Sequence, residues 1–231
     1  MSNQTNTPGA PAADLVGGPR PVTNDPATQQ AARDRRSRSA TRLKLIRSAP
    51  AVFARQGIDG ASVSDLCAAA GFTRGAFYSN FESKRELAIL AFEDLATQLV
   101  DTLGTELDHW LGSGLDVEDV VTRIIEGVTD QVANVNQQAL RVELSLAAFR
   151  FPEVRQQMAP IRARVYHAIE QALVRVAQTQ RLEFLVSPGD VARMLLTSYS
   201  GQLADHMAMG GSGHGAQQVI PTMWLAFTRP A

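Results

Sequence analysis

Residues 62–81 read SVSDLCAAAGFTRGAFYSNF, and their spacing predicts two short helices separated by a three-residue turn. Ser62 and Asp65 form a capping box: the serine oxygen accepts from the backbone N–H three residues on, and the aspartate reaches back. Val63, Leu66, Cys67 and Ala70 then recur at helical spacing on one face. Gly71 stands where a left-handed residue must end the helix. Thr73 is placed to cap a second helix that begins at Arg74. Phe77 and Phe81 form its apolar side; Arg74, Tyr78, Ser79 and Asn80 form its polar side. A second capping box, Ser83 to Glu86, starts the next helix. A short helix, a glycine turn and a second helix of mixed face make a helix-turn-helix, whose second helix enters the major groove of DNA.

On the N-terminal side, a helix is predicted from about Thr41 to Gln56, with Leu43, Ile46, Ala49, Val52 and Phe53 inward and Gly57 ending it. Pro50 inside that span removes a hydrogen bond and favours a kink. Residues 33–47, RDRRSRSATRLKLIR, hold seven basic side chains and one Asp. Such a run is either a solvated face or an arm lying along phosphates or in the minor groove; its position before the helix-turn-helix favours DNA. Residues 1–32 contain five of the eleven prolines and almost no large apolar side chains, so they are expected to be a disordered tail.

Towards the C-terminus every segment reads as helical. Ser83 to about Leu103 forms a linking helix with Leu87, Leu90, Ala91, Leu95 and Leu99 buried. Helical spacing recurs from Val117 to Val132, through Leu140, Leu144, Ala147 and Phe151, and from Val154 to Val176, with Pro160 as a kink or boundary. Ser187 and Asp190 box the start of a helix that has Pro188 at its first position and runs to about Met209. The connector GGSGHG then precedes a last helix holding Val219, Met223, Trp224 and Phe227. No strand pattern competes.

Charge divides the chain in the same place. Residues 33–86 carry 11 Lys/Arg against 5 Asp/Glu, whereas residues 87–231 carry 10 against 16. A basic block followed by an acidic one suits a head that meets a polyanion and a body that does not. The lone Cys67 excludes an internal disulfide and suits core packing in a reducing compartment. No apolar run is long enough to span a membrane, and the N-terminus lacks the apolar core of a signal peptide, so a cytoplasmic location is expected. His109, His167, His206 and His214 are scattered without a metal-ligand spacing, and neither a phosphate loop nor a G-x-S-x-G elbow is present. Catalytic residues, metals and cofactors are therefore not expected.

The run LIRSAPAVFARQGIDGASVSDLCAAAGFTRGAFYSNFESKREL resembles the DNA-binding domain of the TetR family of repressors over about 43 residues. Phe53, Gly57, Ser62–Val63, Asp65–Leu66, Ala70–Gly71, Gly75, Phe77–Tyr78, Phe81, Lys84 and Leu87 carry the resemblance. It departs at Pro50 and at Ser79–Asn80, where the family commonly has an aromatic–His pair. By this resemblance Tyr78, Asn80 and Lys84 bind phosphates, with Thr73 and Ser62 adding hydroxyls at helix N-termini. Arg74 has the chemistry to pair bidentately with guanine or to hold a phosphate. Gly75 and Ala76 lack bulk, which allows close approach to the groove floor or simply close helix packing. Ser79 faces the bases, and Arg42 and Lys44 are phosphate partners.

The resemblance also implies that the body encloses a small-molecule effector and that the last two helices form the bundle of a homodimer. Ligand candidates are Phe92, Trp110, Phe149, Tyr166, His167 and Tyr199; dimer candidates are Ser198, Gly201, Ala204, Ala208, Met223, Trp224 and Phe227. The expectation is thus an all-α protein with a disordered tail (1–32), a basic arm and three-helix helix-turn-helix domain (33–86), and a helical effector and dimerisation domain (87–231). Its expected partners are a palindromic double-stranded DNA operator, an effector and a second copy of itself, with no membrane. The alternatives are a dimeric DNA-binding regulator without an effector, and an enzyme or ligand carrier whose basic head is incidental.

Overall fold

The computed structural model describes residues 26–132, 134–210, 223–224 and 226–231. Helix α1 (Pro26–Gly60) begins inside the stretch expected to be a tail, and it continues through Pro50 without leaving helical geometry. Its one non-helical residue is Gly57, at φ 72° and ψ 165°, a left-handed φ that a side chain would strain. In its first part the Gln30 amide donates to Asp34 at 2.9 Å, four residues on. Residues 1–25, and the disorder expected for them, lie outside the described residues.

Within residues 38–231, α2 (Val63–Ala70) and α3 (Arg74–Tyr78) follow as the capping residues predict. The Asp65 N–H donates to Ser62 Oγ at 3.1 Å and the Ser62 N–H donates to Asp65 at 3.4 Å. Gly71 sits at φ 73° and ψ 35° and ends α2. The Glu86 N–H donates to Ser83 Oγ at 3.0 Å and opens α4 (Lys84–Trp110), two turns longer than expected. Then come α5 (Val117–Val132), α6 (Val135–Arg150) and α7 (Pro152–Thr179). Pro160 does not interrupt α7. The Ser187–Asp190 box opens α8 (Pro188–Ala208), with Asp190 N–H to Ser187 Oγ at 3.1 Å.

The architecture is all-α apart from one small feature absent from the sequence reading. Strand β1 (Leu182–Phe184) pairs antiparallel with β2 (Thr228–Pro230), Leu182 opposite Pro230 and Phe184 opposite Thr228. Residues 223, 224, 226 and 227 are helical, but 228–230 are strand, which shortens the expected last helix. Val219, most of the GGSGHG connector and His214 lie outside the described residues.

Two apolar cores hold the helices. The first joins Leu45, Ile46, Ala49, Val52 and Phe53 of α1 to Leu66, Cys67, Phe77 and Phe81, and continues through Leu87 and Ala91 to Leu140, Leu144 and Ile161. It therefore runs through the expected boundary at residue 87. Leu45 is fully buried where Leu43 was expected to be; Leu43 is exposed. The second core gathers Leu107, Val120, Ile124, Val176 and Trp224.

Candidate functional site

α3 is short, and its sides differ sharply. Phe77 is 0% exposed and packs against Phe81 with ring centroids 5.5 Å apart. Arg74, Gly75, Tyr78 and Ser79 are exposed on the opposite side, with Tyr78 stacked edge-on against Phe77 at 5.4 Å. Rotation of α3 is thus opposed by the loss of Phe77 burial, and its polar edge is held outward. No atom lies near the Cα hydrogen of Gly75 except Thr73 Oγ1, 3.8 Å from where a Cβ would sit. Close helix packing therefore does not explain Gly75. Thr73 occupies the N-cap position with an extended backbone, but its hydroxyl makes no capping bond, contrary to the sequence reading.

The flanking cations are anchored on aromatic faces. The Arg42 guanidinium lies 5.3 Å above the Phe81 ring and Lys44 Nζ 5.4 Å above Phe72. Asn80 and Lys84 are committed within the fold. The Asn80 amide donates to Ala76 O at 2.7 Å, and Ser79 Oγ donates to the same carbonyl at 3.0 Å. The Lys84 ammonium donates to Asp59 O at 2.8 Å and Ala61 O at 2.6 Å. It thereby supplies partners for carbonyls of the turn between α1 and α2. Cys67 is buried against α3, and burial pushes its thiol above the usual range, as expected of a packing residue.

That turn is gripped from the body as well. The Ile58 N–H donates to Glu143 Oε2 of α6 at 3.3 Å, and the Glu143 carboxylate lies 3.4 Å from where a Cβ on Gly57 would sit. Arg85 pairs with Asp59 at 3.6 Å, and its guanidinium stacks 4.1 Å from the centroid of Phe151, at the α6–α7 junction. Three charged side chains from α4 and α6 thus fix the segment that leads into the helix-turn-helix.

Behind them the body is hollow. A cavity of about 130 Å³ is walled by apolar side chains of α4, α5, α7 and α8 with Tyr199, Trp224 and Arg141. A second, of about 370 Å³, is walled by α4, α6, α7 and α8 and shares Leu99, Arg141 and Leu196 with the first. The larger is within the size range of ligand sites.

Residues 45–91 match the family model described as bacterial regulatory proteins, tetR family. That match spans the end of α1, α2, α3 and the start of α4, the segment that holds the helix-turn-helix. The chain is 23% identical over 190 residues to the HTH-type transcriptional repressor AcnR of Corynebacterium efficiens, covering 82% of the chain and 94% of AcnR. Its fold is similar to that of a TetR-family regulator from Mesorhizobium loti, with TM-score 0.67 and 16% identity over 82% of this chain and 96% of that one. It is also similar to FadR of Bacillus subtilis, a transcriptional regulator solved in complex with stearoyl-CoA, with TM-score 0.65 and 15% identity over 79% and 96%.

The expected ligand residues divide. Phe92 and Tyr166 line the larger cavity and Tyr199 the smaller. Phe149 is 90% exposed, because it lies on the outer side of α6, and His167 is turned outward beside Glu170. Trp110 lines neither cavity; its indole N–H donates to Glu106 at 2.9 Å. Among the expected dimer residues, Gly201 and Ala208 are exposed and Ser198 and Ala204 half-buried. Met223 and Phe227 are half-buried, but Trp224 is a core residue of its own chain, 1% exposed and edge-on to Phe184 at 5.6 Å. The sequence reading missed Arg141 and Glu143. The spacing of Gln138, Arg141 and Ser145 already marks a polar stripe on α6; Glu143 had no such signal.

Proposed function

We propose that this chain is a homodimeric repressor that binds a palindromic operator through α2 and α3 and is released by a small-molecule effector held in the body. The observation that carries the reading is the polar edge of α3, with Arg74, Gly75 and Tyr78 exposed over a fully buried Phe77. A rigid platform of this kind lets side chains reach base edges without losing the fold. One head reads few bases, and a two-fold dimer presents two α3 helices about 34–36 Å apart, one turn of DNA. Arg74 is the base reader, with Ala76 and Ser79 beside it. Thr73, Tyr78, Arg42 and Lys44 take phosphates. Ser62, Asn80 and Lys84 hold the module in shape and are secondary phosphate partners.

The effector acts by population shift: it favours a spacing of the heads that does not match the operator, and its influence equals its differential affinity for the two spacings. α6 is the connecting part, because Arg141 lines the cavities and Glu143, two residues on, holds the turn at Ile58. The name of AcnR as a repressor and the acyl-CoA in the FadR structure support this reading. The cavities weigh against a body that only dimerises. No helix among the described residues is long and apolar enough to cross a membrane, in keeping with work on DNA in the cytoplasm.

The test is selection of the protein's preferred sites from random duplex DNA, followed by anisotropy titration of the Arg74→Ala/Tyr78→Phe variant. We expect a palindrome and a loss of at least tenfold in affinity with an unchanged thermal midpoint, since one bidentate base contact contributes about 1–3 kcal/mol. Unchanged affinity would sink the assignment of α3.

A further inference from the structure

Arg141 has no carboxylate beside it among the described residues. Its side chain lines both cavities, and no ion pair or hydrogen bond of its guanidinium is found among the described residues. Burial lowers its proton affinity below the usual arginine range. Arg141 is half-buried, and an arginine cannot answer that by losing its proton, as a lysine can, so a guanidinium held among apolar walls is best matched by an anion. Neither cavity supplies one: their walls hold no Asp or Glu, and the larger adds a second cation, Arg162. One turn before Arg141, Gln138 is 5% exposed; its amide donates to Ser200 O at 3.3 Å, while its Oε1 is buried with no donor. Beyond Arg141 the smaller cavity is apolar on every side but for Tyr199 and Trp224.

We propose that the body takes an amphipathic organic anion, its carboxylate paired with Arg141 and its apolar part seated between α4, α5, α7 and α8. The planar guanidinium matches a carboxylate in two parallel hydrogen bonds. Gln138 Oε1 accepts from a hydroxyl or N–H next to the acid. Cationic amphiphiles are excluded, because Arg141 and Arg162 repel them and no wall carboxylate compensates. This identity of the ligand rests on the effector reading above.

Trp224 lines the smaller cavity, so tryptophan fluorescence of the full chain reports occupancy. The probes are hexanoate, decanoate and tetradecanoate, with decanol and decylammonium as neutral and cationic partners of matched length. We expect saturable binding of the carboxylates, weaker binding of decanol and none of decylammonium. Arg141→Met should reduce carboxylate affinity by about 10- to 100-fold, to the level of decanol, with Arg141→Lys intermediate. The ligand-free Met variant should melt at or above the wild-type temperature, because it removes an uncompensated charge.

Decanol or decylammonium binding as tightly as the carboxylates, no carboxylate binding, or full carboxylate affinity in Arg141→Met would each overturn the inference. Release of the selected operator is followed in parallel. Carboxylate binding through Arg141 without release leaves the anion site standing and refutes the effector reading. Release by the neutral or cationic probe alone does the reverse.

Discussion

The head and the body of this chain are built from the same kind of helix but filled in opposite ways. In the head, Leu45, Ala49, Phe53, Leu66 and Phe77 are at most 1% exposed, and α2 and α4 open on serine caps. In the body, α4, α5, α7 and α8 leave room between them, and the cavity walls hold a guanidinium without an anion and a glutamine oxygen without a donor. Close packing fixes one arrangement, because small shifts in a filled core cost dispersion contacts and cavity energy. A hollow with unsatisfied polar groups has a second state available to it once something fills it. The difference separates a close-packed part from a part with room left between its helices.

The contrast breaks most severely at Phe77. Phe77→Ala removes a fully buried ring beneath the exposed edge of α3 and should cost about 3–5 kcal/mol, with loss of DNA binding. Thermal unfolding by circular dichroism measures it, and a loss below about 1 kcal/mol would mean that the head yields as readily as the body.

Glu143 sharpens the comparison because it joins the two regions. Glu143→Ala strands the Ile58 N–H and should cost about 1–3 kcal/mol. More tellingly, it should leave effector binding intact and reduce the fold-change in operator affinity that the effector produces. An undiminished fold-change would place the coupling elsewhere, in Arg85 on Phe151 or in α4 itself.

The smallest effect concerns pH. The Ser62 hydroxyl bonded to Asp65 holds that carboxyl below the usual carboxylate range. A depressed carboxyl gives its stability in full above the unfolded-state value and loses it as pH falls through the folded-state value. Ser62→Ala should therefore lower the melting temperature slightly at neutral pH and flatten its fall on acidification. Parallel curves for the two proteins would show that the cap contributes no pH dependence.

What the sequence could specify is local. Ser62 with Asp65, Gly71, and Ser83 with Glu86 act across three residues or fewer, so their capping bonds and the turn are legible in order along the chain. The exposed side of α3 and the buried pair Phe77 and Phe81 follow from helical spacing alone. Thr73 marks the limit even here: its type suits a cap, but the hydroxyl's direction is set by surroundings that the sequence does not display.

The tertiary structure decided whatever depends on partners far apart in the chain. Lys84, expected as a phosphate partner, also clamps the carbonyls of Asp59 and Ala61, because the fold brings them within reach. Trp224 became core because Phe184 lies against it, and the β1–β2 pair that brings their segments together spans more than forty residues. Phe149 and Arg141 are eight residues apart on one helix, yet the apolar ring faces water and the cation faces the hollow. Periodicity tells which residues share a helix face. Only packing tells what that face meets: the helix-turn-helix is written locally, whereas the cavities are made by distant helices that do not quite close.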